Sequence, residues 1–204
     1  LINTGIYVLE PEALKLIPEG KPFDFSRDLF PRMLKSKMVL AGSPMSGFWV
    51  DMGDPRSYLK ANAWALDSLQ TEGTKKKDSA TEGLADAISN AATFRGPVHL
   101  GKNVKIGKDA VVGPYACIGD GSEISASAKI MFSVVYENTR IGHNAVLDAC
   151  VVADNCKIDD RVRIERDAVV GAGTELGNNS HLAAGSRGGP WPVVQPDARV
   201  WGTG

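Results

Sequence analysis

The sequence predicts a mainly β protein whose second half is a parallel β-helix. From Leu100 to Leu182 an aliphatic residue recurs in fourteen steps, of which twelve are six residues long and two are five. An α-helix repeats one face every ~3.6 residues and a strand every ~2, so neither explains this period. Short strands separated by turns do explain it, when each six-residue repeat forms one side of a coil.

Two further regularities accompany the aliphatic positions. The aliphatic positions themselves are Leu100, Ile106, Val112, Ile118, Ile124, Ile130, Val135, Ile141, Leu147, Val152, Ile158, Ile164, Val170, Leu176 and Leu182. Glycine often follows them, at Gly101, Gly107, Gly113, Gly119, Gly142, Gly171 and Gly177. Small or branched residues recur four positions after most of them, as at Val104, Ala110, Ala116 and Ser122. The pattern predicts inward-pointing aliphatic side chains on a shared axis.

The repeats resemble the left-handed β-helix superfamily of hexapeptide-repeat proteins over residues 96–187. In that family three repeats form one triangular coil, so fifteen repeats imply about five coils. The resemblance implies an architecture and not a chemistry, because the family includes both acyltransferases and enzymes that use the β-helix as an assembly platform.

Composition excludes several classes of function. The 204 residues carry a net charge of −1, which gives no electrostatic basis for binding nucleic acid or an anionic membrane. No apolar run approaches the ~20 residues that cross a bilayer. The three cysteines have no metal-binding spacing, and Cys156 falls at a small-residue position, which predicts a small buried side chain. We therefore expect a protein of the reducing cytoplasm, without nucleic-acid or membrane partners.

The first seventy residues read as an α/β segment. Residues 6–9, 37–42 and 48–50 are short apolar runs that predict strands. A helical stretch is expected around residues 12–17, and a second within residues 23–35 with Ser26 as its N-cap. Asp54 and Pro55 are the preferred cap and first-turn residues of a third helix. The apolar run at residues 6–9 reads as a buried strand that lacks an upstream partner.

This segment resembles the C-terminal part of the catalytic domain of sugar-1-phosphate nucleotidyltransferases. The resemblance rests on NTGIYVL, FDFSRDLFP and GFWVDMGDPRSYLKAN, and is greatest to the mannose-1-phosphate guanylyltransferase and glucose-1-phosphate nucleotidyltransferase branch. It implies that NTP and sugar 1-phosphate give an NDP-sugar and pyrophosphate, with Mg²⁺ as cofactor. The family's Gly-rich phosphate loop and first metal-binding aspartate are not in this sequence. We therefore expect a C-terminal portion or truncated relative that is inactive alone, so its own status as an enzyme stays open.

The resemblance also implies three site residues. Asp51 matches an aspartate that helps to hold Mg²⁺, and its place after a strand suits a ligand site at a sheet edge. A simple helix cap is the alternative role, for which Asp54 is the better candidate. Asn3 and Gly5 match positions that meet the sugar, since an amide binds hydroxyls and a glycine admits a ring close to the backbone. The alternative is that Asn-Thr-Gly only forms a turn.

Two other functions remain open on the sequence. The first is a hexapeptide acyltransferase, possibly within a bifunctional enzyme, in which His99, His143 or His181 would be the general base. Each of these histidines is more simply read as structural or solvated, and turnover of acetyl-CoA would favour this function. The second is a non-catalytic assembly subunit, which the reading frame upstream of Leu1 would separate from the enzyme.

We expect four regions along the chain. Residues 1–70 form the nucleotidyltransferase segment, 71–95 a linker and short helix, 96–187 the β-helix, and 188–204 an irregular tail. The outward-pointing valines predict self-association of the β-helix, with a homotrimer favoured. These valines are Val111, Val146, Val151 and Val169.

Overall fold

The computed structural model describes residues 2–73, 89, 91–190 and 192–202, and it divides into two compact units, Leu1–Trp49 and Val50–Gly204. Of residues 71–95, expected to be a linker and short helix, 71–73 belong to the long helix that follows Asp54 and 93–94 form a strand, while 74–88 and 90 lie outside the described residues. The two units meet between Trp49 and Val50, well before the boundary expected at residue 70. The long helix that follows Asp54 is grouped with the β-helix.

The first unit contains three short helical segments. They are α1 (Pro11–Leu14), a π-helical turn (Phe25–Leu29) and α2 (Phe30–Lys35). Asp24 caps the π-helical turn by accepting a hydrogen bond of 2.7 Å from the N–H of Arg27. The expectation that Ser26 is the cap is therefore wrong, because the helical turn begins at Phe25 and Ser26 lies within it.

Aromatic and aliphatic side chains form the small core of the first unit. Ala13, Leu29 and Met33 are buried at its centre. The Tyr7 ring stacks on Phe25 with centroids 5.3 Å apart and meets the Phe30 ring edge-on at 5.0 Å. These contacts hold the extended N-terminal segment against the helices.

The three expected strands of the first seventy residues are not formed. Residues 6–9, 37–42 and 48–50 contain no strand, although their sequences favour extended structure. Among the described residues, 6–9 and 39–42 form no backbone–backbone hydrogen bond. A strand requires a paired neighbour, so β propensity alone leaves these segments extended and unpaired.

The second unit is a three-sided parallel β-helix. Sheet I has seven strands: β1 (Thr93–Phe94), β4 (Val111–Val112), β7 (Lys129–Met131), β10 (Val146–Asp148), β13 (Arg163–Ile164), β16 (His181–Leu182) and β18 (Arg199–Val200). Sheet II has five: β2 (Val98–Leu100), β5 (Ala116–Ile118), β8 (Val134–Val135), β11 (Val151–Val152) and β14 (Val169–Val170). Sheet III has six: β3 (Lys105–Ile106), β6 (Glu123–Ile124), β9 (Arg140–Ile141), β12 (Lys157–Ile158), β15 (Glu175–Leu176) and β17 (Val193–Val194).

Strand register confirms the repeat read from the sequence. Ile106 pairs with Ile124 and Ile124 with Ile141, so one turn of the helix takes eighteen or seventeen residues. The shorter turns result from the two five-residue steps. Strands β17 and β18 continue the ladders into the segment expected to be an irregular tail. The β-helix therefore has about six turns where about five were expected.

The inward aliphatic side chains form one continuous core. Ile118, Ile130, Leu147 and Ile164 are fully buried, and Cys156 is buried as expected at its small-residue position. Buried hydroxyls at this four-residue offset bond to neighbouring turns: Ser122 accepts from the Thr139 N–H at 3.2 Å. Among the described residues the exception is Ser180, whose buried Oγ has no hydrogen-bond partner.

Stacking of successive turns explains the glycines that follow the aliphatic positions. A Cβ added at Gly119 would lie 2.6 Å from the carbonyl carbon of Tyr136, and one at Gly142 would lie 2.5 Å from that of Asp159.

The corners between the strands follow a second regularity. A residue with positive φ recurs every five or six residues from Asn103 to Gly185. Most of these corner residues are Asn, Asp or Gly, which tolerate this conformation best.

Helix α3 (Pro55–Gly73) lies against the β-helix along sheet II. Tyr58 Oη is 2.8 Å from Tyr136 Oη, and the Cys117 thiol is 3.2 Å from Asn62 Oδ1. In the outward row of sheet II, Val134 and Val151 are only 6% and 9% exposed, whereas His99 at the first turn is exposed. None of the helices among the described residues combines the length and apolarity that a bilayer crossing requires.

Candidate functional site

Asn3 and Gly5 lie together in one tight turn at the start of the first unit. Asn3 Oδ1 accepts a hydrogen bond of 2.9 Å from the Gly5 N–H, and Asn3 Nδ2 donates one of 2.8 Å to Tyr7 Oη. Gly5 has a φ of +75°, and a Cβ added there would meet no atom within 4 Å. The turn requires glycine by its conformation, and it leaves open space above the backbone.

Asp51 lies in the second unit, in the loop that precedes α3. Its side chain is exposed, and its Oδ1 would be 3.6 Å from a Cβ built on Gly53. Carboxylate oxygen is a preferred ligand of Mg²⁺, so the residue has suitable chemistry. Within the described residues no group of three His, Cys, Asp or Glu side chains is placed to hold a metal. Asp51 is thus a single ligand candidate.

The neighbouring Asp54 is the cap of α3. Its Oδ1 accepts a 2.8 Å hydrogen bond from the Ser57 N–H, and its Oδ2 accepts one of 2.9 Å from the Ser57 hydroxyl. These bonds hold the pKa of the Asp54 carboxyl below its usual range. Because Asp54 caps the N-terminus of α3, the carboxylate of Asp51 is not needed for that role.

Polar contacts fix α3 along the β-helix. Near its first turn, Arg56 Nη2 lies 2.7 Å from Asp167 Oδ2, and near its last turns Asp67 Oδ2 lies 3.5 Å from Tyr115 Oη. The eleven steps of helix from Arg56 to Asp67 rise about 16 Å. The ladder from Tyr115 to Asp167 spans three steps, or about 14 Å. The similar lengths show that α3 runs along the axis of the β-helix.

The corner beneath α3 departs from the corner rule. Tyr115, Phe132 and Ala149 occupy successive corners with φ of 54°, 51° and 49°, where Asn, Asp or Gly is usual. The Tyr115 and Phe132 rings stack with centroids 5.8 Å apart. Side chains of this size in this conformation cost about 1–2 kcal/mol each relative to ordinary backbone. Sequence reasoning missed this feature, although bulky residues at glycine-type repeat positions were its signal.

A shallow groove of about 250 Å³ lies between α3 and this corner. Its walls are Arg56, Leu59, Lys60, Ala63, Tyr115, Phe132, Ala149 and Asp167. Its small volume is below the range of about 300–1,000 Å³ typical of small-molecule sites. The groove is therefore better described as the seam along which α3 packs.

The three histidines are not brought together. His99 and His181 belong to different sheets, and the backbone N–H of His143 donates to Asp160 Oδ1 at 2.8 Å. His181 Nε2 lies 3.0 Å from Glu165 Oε1, and this contact holds the pKa of Glu165 below its usual range. A histidine beside a carboxylate is one component of an acid–base pair.

Two family models match successive parts of the chain. The model described as Nucleotidyl transferase matches residues 1–68, which include Asn3, Gly5 and Asp51. The model described as GMPPB C-terminal domain matches residues 94–186, which include most of the β-helix. The order of the two matches follows the order of the two regions recognised in the sequence.

Curated relatives agree with these matches. A UTP–glucose-1-phosphate uridylyltransferase of Synechocystis is 32% identical over 110 residues, covering 52% of this chain and 28% of the relative. The Saccharomyces cerevisiae mannose-1-phosphate guanyltransferase is 32% identical over 87 residues, covering 43% and 24%. The matches thus span about a quarter of the length of these relatives.

Similarity to solved structures is weak. A hexapeptide-repeat acetyltransferase of Vibrio cholerae, solved with acetyl coenzyme A, is 16% identical with a TM-score of 0.40, covering 71% of this chain and 82% of that one. Likeness at this level carries no conclusion about activity. The two family models and the curated relatives fit the C-terminal part of a sugar-1-phosphate nucleotidyltransferase with a β-helix.

Proposed function

We propose that the chain is the C-terminal portion of an enzyme that makes an NDP-sugar and pyrophosphate from an NTP and a sugar 1-phosphate. The observation that carries this proposal is the succession of a nucleotidyl transferase match at residues 1–68 and a GMPPB C-terminal domain match at residues 94–186. In this reaction the sugar phosphate attacks the α-phosphorus of the NTP. Catalysis then depends mainly on positioning and on neutralising charge.

In this proposal Asn3 and Gly5 contact the sugar. The open space above Gly5 supports the assignment, since a sugar ring can approach the backbone there. The Asn3 amide already bonds within its own turn, which fixes its orientation and leaves part of its hydrogen-bonding capacity for a hydroxyl. The turn and the sugar contact are therefore compatible roles for the same residues.

Asp51 is the proposed protein ligand of Mg²⁺ in the complete enzyme. A bound Mg²⁺ neutralises charge on the phosphates and is typically held by one or two carboxylates together with substrate oxygens. The exposed side chain of Asp51 and the separate capping role of Asp54 support the assignment. Because no group of three His, Cys, Asp or Glu side chains in the described residues is placed to hold a metal, we expect this chain alone to bind Mg²⁺ weakly.

The test of this function is synthesis of an NDP-sugar. The purified 204-residue chain should form none, because the sequence has no Gly-rich phosphate loop and no first metal-binding aspartate. Pyrophosphate release from each NTP and sugar 1-phosphate pair measures this directly. Product formed by the chain alone would contradict the proposed division of the site. Turnover of acetyl-CoA would instead favour an acyltransferase, which the family models do not support.

We further propose that the protein self-associates through sheet I, with a trimer favoured, and that it is cytoplasmic. Val151 is covered within its own chain, so the apolar residues left for a partner are chiefly Val111 and Val146 on sheet I. The free cysteines suit a reducing compartment. Light scattering at micromolar concentration tests the association: a monomer would overturn it, and a dimer would overturn only the trimer.

A further inference from the structure

A short loop joins Asp51 to helix α3. The Asp51 side chain is exposed, and Asp54, three residues farther along the chain, caps the helix. In the part of the chain that the structure describes, the Asp51 carboxylate has no hydrogen bond or ion pair. A carboxylate without such contacts takes its position from the backbone that carries it. The position of Asp51 therefore depends on how the start of α3 is held.

Arg56 holds the start of α3 on the β-helix. Its Nη2 lies 2.7 Å from Asp167 Oδ2, and its Nε donates to Asp167 Oδ1 at 3.4 Å. Two bonds from one guanidinium to one carboxylate fix direction as well as distance. The corner that carries Asp167 is itself braced, because Arg187 Nη1 donates to the backbone carbonyl of Asp167. The β-helix thus gives Arg56 a fixed partner five residues from Asp51.

A second contact holds α3 two residues later. Tyr58 Oη is 2.8 Å from Tyr136 Oη on sheet II. Burial and this hydrogen bond raise the pKa of Tyr58, so its hydroxyl stays protonated at neutral pH. The contact does not involve Arg56 and remains when the Arg56 ion pair is removed. Loss of that ion pair should therefore loosen the first turn of α3 without releasing the whole helix.

The Arg56 ion pair is poorly placed to stabilise the fold. The Arg56 side chain is 81% exposed, and exposed ion pairs contribute little to stability. A metal site is more demanding, because its ligands must be held within about 0.5 Å of the productive geometry. Mg²⁺ in particular requires nearly ideal octahedral coordination. Removal of the ion pair should thus affect the position of Asp51 more than the stability of the chain.

We propose that Arg56 is a positioning residue for Mg²⁺, whose ion pair with Asp167 fixes the first turn of α3, and with it the Asp51 carboxylate, to the β-helix. The inference rests on the proposed function for the role of Asp51 as a metal ligand. It gives the β-helix a part in the metal site in addition to self-association. Asp167, Arg56 and the helix cap Asp54 form one continuous connection from the β-helix to Asp51.

The complete 204-residue chain tests the structural step without any activity. Arg56→Ala should quicken hydrogen exchange at residues 55–60 at least about fivefold, because the first turn of α3 opens more often. The thermal midpoint should stay within about 3 °C of that of the unchanged chain. Asp167→Gly removes the same contact and keeps the corner conformation, which glycine already adopts at Gly185. The double variant should exchange no faster than Arg56→Ala, because both substitutions remove one contact.

A matched control lies on sheet III. Lys105→Ala breaks an ion pair of the same length, 2.7 Å, which Lys105 forms with Glu123. This variant should leave hydrogen exchange at residues 55–60 as it is in the unchanged chain. Unchanged exchange in Arg56→Ala, or additive effects of Arg56→Ala and Asp167→Gly, would overturn the proposal.

The metal step is tested in a chimera that joins the yeast mannose-1-phosphate guanyltransferase, up to its counterpart of Asn3, to this chain from Asn3 onward. Mn²⁺ is the probe, and its binding is measured from the electron paramagnetic resonance signal of the free ion. Arg56→Ala should weaken Mn²⁺ binding at least about fivefold and raise the Mg²⁺ concentration for half-maximal GDP-mannose formation by a similar factor, with kcat at saturating Mg²⁺ retained. Lys105→Ala should change neither quantity.

These measurements separate the positioning proposal from the proposed function. Weaker Mn²⁺ binding by Arg56→Ala, in a chimera that forms no GDP-mannose, would support the positioning role and contradict the proposed activity. GDP-mannose formation with the same Mg²⁺ dependence in Arg56→Ala as in the unchanged chimera would support the activity and contradict the positioning role.

Discussion

At the scale of single residues, the reactivity of Cys150 tests whether its side chain is buried in the interior of the β-helix. Its side chain is fully buried, and burial raises the pKa of the thiol to about 12. Only the thiolate reacts with disulfide reagents, so Cys150 should be inert in the native protein and reactive after unfolding. A colorimetric thiol titration with and without denaturant measures both. Rapid native labelling of Cys150, located by peptide mass, would contradict the buried assignment.

The same thiol predicts a loss of stability at high pH. The folded-state pKa is raised, so above the ordinary thiol pKa of 9.0 the unfolded chain loses this proton while the folded chain keeps it. The contribution of Cys150 is therefore complete below pH 9.0 and declines as pH rises towards the folded value. Denaturant melts between pH 8 and about 10.5 should show a smaller decline for Cys150→Ala than for the unchanged chain.

Substitution of Asp51 tests whether this residue is a ligand of Mg²⁺. In an enzyme that contains both the nucleotide-binding portion and this chain, Asp51→Ala should lower turnover at least about 10²-fold, the scale of one lost electrostatic contact to the transition state. Asp54→Ala is the control that shows the effect of a change in helix stability alone, since Asp54 caps α3 by its bonds to Ser57. Near-normal turnover of Asp51→Ala at saturating Mg²⁺ would refute the assignment.

At the scale of elements, the stacking of coils makes one class of glycine indispensable. A Cβ at Gly142 would lie 2.5–2.7 Å from backbone atoms of Asp159 and Asp160, which cannot yield as a flexible side chain does. We expect Gly142→Ala to lower the free energy of unfolding by about 1–3 kcal/mol. Gly189→Ala, where a Cβ meets no atom within 4 Å, should be nearly neutral. Equal stabilities in urea melts would contradict the stacking explanation.

Helix α3 offers a matched pair of leucines. Leu66 is 4% exposed and Leu69 is 59% exposed on the same helix. Leu66→Ala should cost about 2–5 kcal/mol of stability, while Leu69→Ala should stay within about 0.5 kcal/mol. A small effect at Leu66, measured by the same melts, would show that α3 is not part of the cooperative unit.

The period of six was sufficient to predict the β-helix because each repeat specifies its own strand and corner. The clearest signals, such as Gly119 and Gly142, follow from backbone contacts between adjacent turns. The packing of α3 was not predictable, since its contacts join residues far apart in sequence, as Arg56 and Asp167 do. Two of the valines expected to mediate self-association, Val151 and Val169, lie on the sheet along which α3 packs.

The strands expected in the first seventy residues are not formed, and the reason differs from that for the packing of α3. Their sequences have the composition of buried parallel strands, but pairing is a property of the neighbour as well as of the segment. Among the site residues, Asn3 and Gly5 share one turn, but the sugar contacts assigned to both and the metal role assigned to Asp51 still depend on the resemblance. Spacing alone cannot reveal which groups a bound sugar phosphate would meet.

At the scale of the whole molecule, we propose that this chain supplies the C-terminal portion of a sugar-1-phosphate nucleotidyltransferase. The most direct test is a chimera in which the yeast mannose-1-phosphate guanyltransferase, up to its counterpart of Asn3, continues into this chain from Asn3 onward. GDP-mannose formation is then measured for the chimera, for the truncated yeast portion and for this chain. We predict product from the chimera and none from either part. A folded chimera without product, or product from this chain alone, would contradict the claim.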